Sequence, residues 1–182
     1  KRWCKGEVGF PMVDACMRFL KNNGWINFRM RAMLVSFASY NLWLDWRMTS
    51  KFLSKYFIDY EPGIHYNQFQ MQSGVTGINT FRIYNPVKQS IEHDKNGIFI
   101  KKWIPELKNL DCSFIHEPWK MDLITQKNNN CILGKDYPNR IVINEEAIKF
   151  ARNEIKKILQ TDNYYEMSKK FLRNTEVEKE IQ

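Results

Sequence analysis

The sequence predicts an all-α fold, and three observations carry that reading. Apolar residues recur at helical spacing in several segments, no run of five residues alternates convincingly as a strand, and Gly or Pro punctuates the segment ends. At 182 residues the chain suits one domain with a real core, and no internal repeat is visible. Met12 to Leu20 reads as a helix, with Pro11 in its first turn and Gly24 beyond its C-terminal end. Residues 28 to 46 read as a second, central helix. Met33, Leu34, Val35, Phe37, Ala38, Tyr40, Leu42, Trp43, Leu44 and Trp46 make it apolar nearly all round, as in a helix surrounded by others. Thr49 is the expected cap of a third helix carrying Phe52, Leu53, Tyr56, Phe57 and Ile58. Residues 59 to 80, polar and containing Gly63, Gly74 and Gly77, read as a long loop, and loops of that length usually bind something.

Asn85-Pro86 opens a short element, and Gly97 to Trp103 a helical turn closed by Pro105. Pro118 to Lys127 is an expected helix, and Tyr137-Pro138 forces an extended connection. From Asn144 the pattern Ala147, Ile148, Ala151, Ile155, Ile158, Leu159 gives an amphipathic helix, with Glu145 and Glu146 in its first turn where the macrodipole favours acids. A last polar helix is expected from Tyr164 to Leu172.

The net charge of +8 and the 14% of aromatic residues suit a partner that is both charged and stackable, such as nucleic acid. Simple surface solvation competes with that reading, because much of the excess charge lies in the last fifty residues. Cys4, Cys16, Cys112 and Cys131 form no Cys-x-x-Cys pair, so neither a zinc ribbon nor a redox dithiol is indicated. Cys16 within an apolar helix favours a reducing, cytoplasmic compartment. Cys112 and His116 lack further ligands at matching spacing, and no metal is expected. No run of eighteen apolar residues exists, so no membrane span or membrane partner is expected.

Charge inside apolar surroundings is the sharpest local signal. Arg31 follows Phe28 and precedes Leu34, Val35 and Ala38, which places it on an apolar stripe, where a guanidinium needs a partner. The carboxylates within reach in sequence are Asp45, Asp59 and Glu61, the last two in a Gly/Pro-containing loop.

Several motifs share one order and spacing over more than 130 residues. They are Trp3-Cys4-Lys5-Gly6, Gly9-Phe10-Pro11-Met12-Val13-Asp14-Ala15, Gly24-Trp25, Arg29-x-Arg31, Ser36-Phe37, Asp45-Trp46-Arg47, Asp59, the run Arg82 to Gln89, Trp103-Ile104-Pro105-Glu106-Leu107, and Tyr137-Pro138-x-x-Ile141-Val142. In these the chain resembles the C-terminal, flavin-binding helical domain of the DNA photolyase and cryptochrome family, with Val8 where Thr is usual. The resemblance implies an FAD cofactor whose ring lies against Arg31 and Asp59, with Tyr60 and Glu61 beside it. It also implies that His65 faces flavin N5, where the family carries Asn, Asp or Cys, and that a neutral imidazole bonds N5 in a sense set by its tautomer. Trp46 matches the middle member of the family's electron-transfer chain, but Phe69 occupies the proximal place and a Phe is hard to oxidise. Trp43, Tyr40 and Tyr66 are the substitutes nearby. Core packing explains Trp43 and Trp46 equally well.

On the DNA side the resemblance places Phe28, Arg29, Arg82 and Gln89 at the binding face, where phosphate contacts position a strand without reading bases. The lesion pocket departs from the family at Phe28, Ala32 and Met71. The FAD-phosphate clamp and the antenna domain would lie upstream of Lys1. The chain is thus expected to be one partial domain, either the C-terminal part of a longer protein or a short stand-alone relative. The implied function is blue-light repair of UV-induced pyrimidine dimers by electron transfer from reduced flavin, in a monomer whose partner is damaged DNA. The alternatives are a photosensory cryptochrome and a flavin-free nucleic-acid-binding module.

Overall fold

The structure, a computed structural model, describes residues 1–76, 82–161, 163–167, 169 and 170. Nine α-helices run in the order α1 Arg2–Lys5, α2 Pro11–Asn23, α3 Phe28–Ser36, α4 Trp46–Leu53, α5 Pro62–Gln72, α6 Pro86–His93, α7 Ile98–Trp103, α8 Leu123–Asn128 and α9 Asn144–Leu159. No strand is present among the described residues, so the all-α expectation holds.

Helix α2 is the centre. Pro11 starts it, where its missing N–H costs no helical bond, and Gly24 ends it in the left-handed conformation with φ 71°. Met12, Val13, Ala15, Cys16, Met17 and Leu20 are buried, and α1, α3, α6 and α7 all pack against it. Asp14, also fully buried, ties the helix to two distant segments. Its Oδ1 accepts the Val8 N–H at 2.7 Å, while its Oδ2 accepts the Gly9 N–H at 2.9 Å and the Tyr137 hydroxyl at 2.7 Å. Gly9 itself stands at φ 80°, and a Cβ there would meet the Arg140 backbone nitrogen at 2.4 Å, so only glycine permits this close crossing of two chain segments.

The central segment differs from the expected single helix over 28 to 46. After α3 the chain widens into a π-helical turn, Phe37–Asn41, and then breaks. Trp43 adopts φ 50°, the Leu44 N–H reaches back to the Ala38 carbonyl at 3.0 Å, and α4 begins only at Trp46. The α4 cap is Asp45 rather than Thr49, since the Asp45 carboxylate accepts the Arg47 N–H at 2.9 Å and holds the Arg47 guanidinium as well. Helix α9 docks on the break. Its Asn144 accepts from Asn41 at 2.9 Å, and its Phe150 packs edge-on to Trp43 with ring centroids 5.4 Å apart.

The expected long loop from 59 to 80 contains helix α5, because Glu61 caps it and Pro62 occupies its first position. Residues 77–81 lie outside the described residues. The expected helix from Pro118 to Lys127 is instead a 3₁₀ turn, Pro118–Lys120, and then α8, separated by Met121 in extended conformation and started by Asp122, which accepts the Thr125 N–H. Of the expected last helix, residues 164–167, 169 and 170 are helical, and its remainder lies outside the described residues.

Burial raises the Asp14 carboxyl to about 6, against the pull of its hydrogen bonds and of Arg18. The folded state therefore binds more protons than the unfolded chain between 3.8 and about 6, and stability falls as pH rises through that window. For Asp14→Asn we predict a loss of about 2–4 kcal/mol in chemical denaturation, from two mismatched backbone donors and one hydroxyl. The same variant loses this pH dependence, whose slope in the native chain is at most about 1.4 kcal/mol per pH unit.

Candidate functional site

Helices α3 and α5, the end of α4 and the segment around Trp25 enclose a cavity of about 300 Å³. Its walls are Trp25, Ile26 and Phe28 before and at the start of α3, then Arg31, Ala32 and Val35 along one face of that helix. Leu53 and Phe57 close the floor, Asp59, Tyr60 and Glu61 form the rim, and Ile64, His65, Gln68, Phe69 and Gln72 project from α5. The predominantly apolar and aromatic lining with a few convergent polar groups is the usual composition of a small-molecule site.

Arg31 organises this region. Its Nε donates to the Ile26 carbonyl at 2.7 Å, its Nη2 donates to Asp59 Oδ2 at 2.7 Å, and the guanidinium lies 4.2 Å from the Phe57 ring centroid. The pairing with Asp59 is the one that charge economy predicts, although the Arg31 side chain is 27% exposed and that of Asp59 44%, so neither is truly buried. As an isolated ion pair it stabilises by at most about 1 kcal/mol, and its larger role is geometric. A second tie runs beside it, from the Ile58 N–H to the Gly24 carbonyl at 2.9 Å. Gly24 is needed there, since at φ 71° an added Cβ would come within 2.6 Å of Ile58.

Glu61 lines the rim while serving as the α5 cap, its Oε2 accepting the Ile64 N–H at 2.7 Å. One turn on, His65 is buried in a ring of aromatics: Phe69 at 4.7 Å, Tyr60 at 5.1 Å, Tyr66 at 5.4 Å and Phe57 at 5.9 Å between centroids. Its Nε2 stands 3.0 Å from the Ser50 carbonyl oxygen. A carbonyl only accepts, so Nε2 carries the hydrogen and Nδ1 keeps its lone pair. Burial lowers the imidazole from its ordinary value, the Arg31 charge adds to that, and the Ser50 carbonyl opposes it. Hence His65 is neutral at neutral pH, with one acceptor nitrogen not used by the protein.

The arrangement suits a flat heteroaromatic ring with both donor and acceptor edges. Arg31 supplies donors, His65 Nδ1 an acceptor, and the buried Gln68 Oε1 a further acceptor with no partner in the protein. Asp59 and Glu61 on one rim oppose entry of an anionic group from that side, so a ring, rather than phosphates, belongs there. These features fit an isoalloxazine ring.

The structure gathers Phe28, Arg31, Asp59, Tyr60, Glu61 and His65 around one cavity. Phe28, 58% exposed, stands at its mouth, and Arg29 is exposed next to it. Arg82 is exposed outside the cavity, held by its carbonyl and by the Tyr84 N–H to the Ser36 hydroxyl. Gln89 is buried on α6, its Oε1 without a partner, away from the cavity walls. Trp46 lies on a different groove of about 610 Å³, shared with Trp43, Tyr40 and α9. Sequence reasoning missed Trp25, Gln68 and Gln72 as lining residues. For the two glutamines the available signal was the Glu61-Pro62 helix start, which puts 65, 68, 69 and 72 on one helical face.

The sequence profile of the FAD binding domain of DNA photolyase matches residues 1–157. The deoxyribodipyrimidine photo-lyase of Alkalihalophilus pseudofirmus is 40% identical over 151 residues, which are 82% of this chain and 32% of that protein. Among solved structures, a bacterial class III photolyase from Agrobacterium tumefaciens superposes with TM-score 0.83 at 30% identity, over 88% of this chain and 34% of the other. A cryptochrome from Synechocystis superposes with TM-score 0.81 at 34% identity, over 84% of this chain and 32% of the other. The chain thus spans about a third of the length of the relatives it matches. No described helix is long and apolar enough to cross a membrane, and no group of metal-ligating side chains is found among the described residues.

For Gly24→Ala we predict destabilisation of about 1–3 kcal/mol in chemical denaturation, because the strained backbone and the Ile58 contact act together. Changes of intrinsic fluorescence at Trp25, next in sequence, report whether the cavity wall moves with it.

Proposed function

The chain belongs to the family of the FAD binding domain of DNA photolyase, and from that premise we propose that it binds FAD in the α3/α5 cavity and serves blue-light repair of pyrimidine dimers in DNA. The observation that carries this reading is the Arg31–Asp59 pair set beside a His65 whose Nδ1 lone pair is unused, all on one aromatic-walled cavity. When bound, FAD supplies the light-driven electron transfer, and the protein's share is orientation and electrostatics.

Arg31 donates along the ring edge while Asp59 and the Ile26 carbonyl hold its guanidinium in plane. His65 offers a fixed acceptor at the position proposed for N5, so it favours a ring nitrogen that carries a hydrogen over one that does not. Tyr60 and Glu61 close the rim, and the aromatic ring around His65 keeps water from the imidazole. Outside, Arg29 and Arg82 are exposed cations suited to strand phosphates, and Phe28 at the mouth offers a stacking face to an extruded base. Gln89, buried as it stands, serves that face only through the placement of α6. Trp46 would carry electrons only at a remove, from the neighbouring groove.

A second reading, a photosensory flavoprotein without repair, is favoured by Phe28 and Ala32, which leave this part of the cavity wall apolar. The experiment that separates them incubates the purified chain with FAD, desalts it, records the flavin spectrum, and then assays blue-light loss of dimers in irradiated oligonucleotides. Retained flavin with light-dependent repair is the expected result. Retained flavin without repair selects the sensory reading, and no retained flavin overturns both.

Two further outcomes follow from the geometry. Asp59→Asn lowers FAD retention by about fivefold to tenfold, as loss of one charge-assisted bond implies. Retention in the native chain is level through neutral pH and declines only on acidification below the ordinary imidazole value of 6.5, when Nδ1 takes a proton and stops accepting. In His65→Gln that acid limb moves into the carboxylate range.

A further inference from the structure

We propose that Trp25 is the electron donor that reduces a flavin held in the cavity under light. The inference rests on the cavity reading above and adds a role to a side chain outside it.

Aromatic residues on the described cavity wall divide by how readily they lose an electron. Phe28, Phe57 and Phe69 are phenyl rings and poor donors, which leaves Trp25 and Tyr60. Trp43 and Trp46 line the other groove and have no place on this wall. Trp25 is 47% exposed, so its indole touches the cavity with one part and water with another. Its backbone is pinned from both sides, at Gly24 by the Ile58 N–H and at Ile26 by Arg31 Nε. The indole is thus carried by the same Arg31 that would orient the ring, and the spacing between donor and acceptor is built into the fold. Tyr60 is the weaker candidate. A phenol must give up its proton as it is oxidised, and the bond to Tyr66, with burial and the nearby Glu61, holds the Tyr60 hydroxyl above its ordinary value.

The step balances as follows. One electron leaves the indole of Trp25 for the light-excited, oxidised flavin, which is reduced by that electron. The oxidised indole releases its N–H proton to the adjoining water and becomes a neutral radical. A thiol in solution returns one electron and one proton to the indole, and the resulting thiyl radicals couple to a disulfide. Solvent access to Trp25 is what lets the last step proceed without a relay through the protein.

The test uses the full chain loaded with FAD, without oxygen, under blue light. Flavin bleaching with excess thiol is measured per bound flavin, and radicals trapped by freezing without thiol are identified by electron paramagnetic resonance. Trp25→Phe is expected to slow bleaching by about tenfold or more, equivalent to raising the barrier by about 1.4 kcal/mol, and to remove the tryptophanyl signal. Trp43→Phe is expected to change neither. Trp25→Tyr provides the decisive variant if Trp25→Phe releases flavin: a tyrosyl signal in place of the tryptophanyl one supports the assignment, and a persisting tryptophanyl signal overturns it. Loss of the signal in Trp46→Phe but not in Trp25→Phe also overturns it. The dark spectrum separates this failure from that of the cavity reading, since a native chain that retains no flavin overturns both.

Discussion

The structure around the cavity depends on the need of one guanidinium for partners. Arg31 sits on a helix whose neighbouring positions are core, and three different chain segments converge to satisfy it: the Ile26 carbonyl before α3, the Asp59 carboxylate before α5, and the Phe57 ring between α4 and α5. Each partner alone contributes modestly, because the pair is partly open to water. Together they fix the separation of α3 from α5, and that separation is the width of the cavity. A hydrophobic residue at position 31 would pack against Phe57 as well, but it would leave the Ile26 carbonyl and Asp59 with nothing to set their direction.

Helices α2 and α9 were legible in the sequence because their ends are marked by the residues that physics prefers there, Pro11 and Gly24 for one and Glu145 and Glu146 for the other. The segment from 28 to 46 was not. It is apolar throughout and contains neither Gly nor Pro, while its break lies at a tryptophan with positive φ, a conformation no propensity assigns to Trp. Helix α5 was hidden for the opposite reason: Asn67, Gln68, Gln70 and Gln72 look like loop, and the start signal Glu61-Pro62 was outweighed by composition.

The site shows the same division. Charge economy alone links Arg31 to Asp59, since an unpaired charge beside a core is costly whatever the fold. The tautomer of His65 was beyond reach, because its partner is the backbone carbonyl of Ser50 and every residue type has a carbonyl. Trp25 escaped attention because it lies between helices, where periodicity carries no information about which side a residue faces. Gly24 beside it was visible only as a helix stop, although the same glycine also makes room for Ile58.

The buried tie between Asp14 and Tyr137 spans 123 residues of sequence. A contact of that range closes a loop that contains α3, α4 and α5, and its entropic cost falls late, after the local helices have formed. On a ribosome the chain that already carries every cavity-lining residue, the last being Gln72, is still missing the tyrosine that secures the central helix at the loop holding Val8 and Gly9. Synthesis of the binding residues and consolidation of the frame that holds them are therefore separated in time by some 65 residues of further translation, from Gln72 to Tyr137. During that interval the nascent chain exposes an aromatic cleft on an unfinished support, so that capture of a ring ligand and completion of the fold are set to reinforce one another only once the C-terminal third has been made.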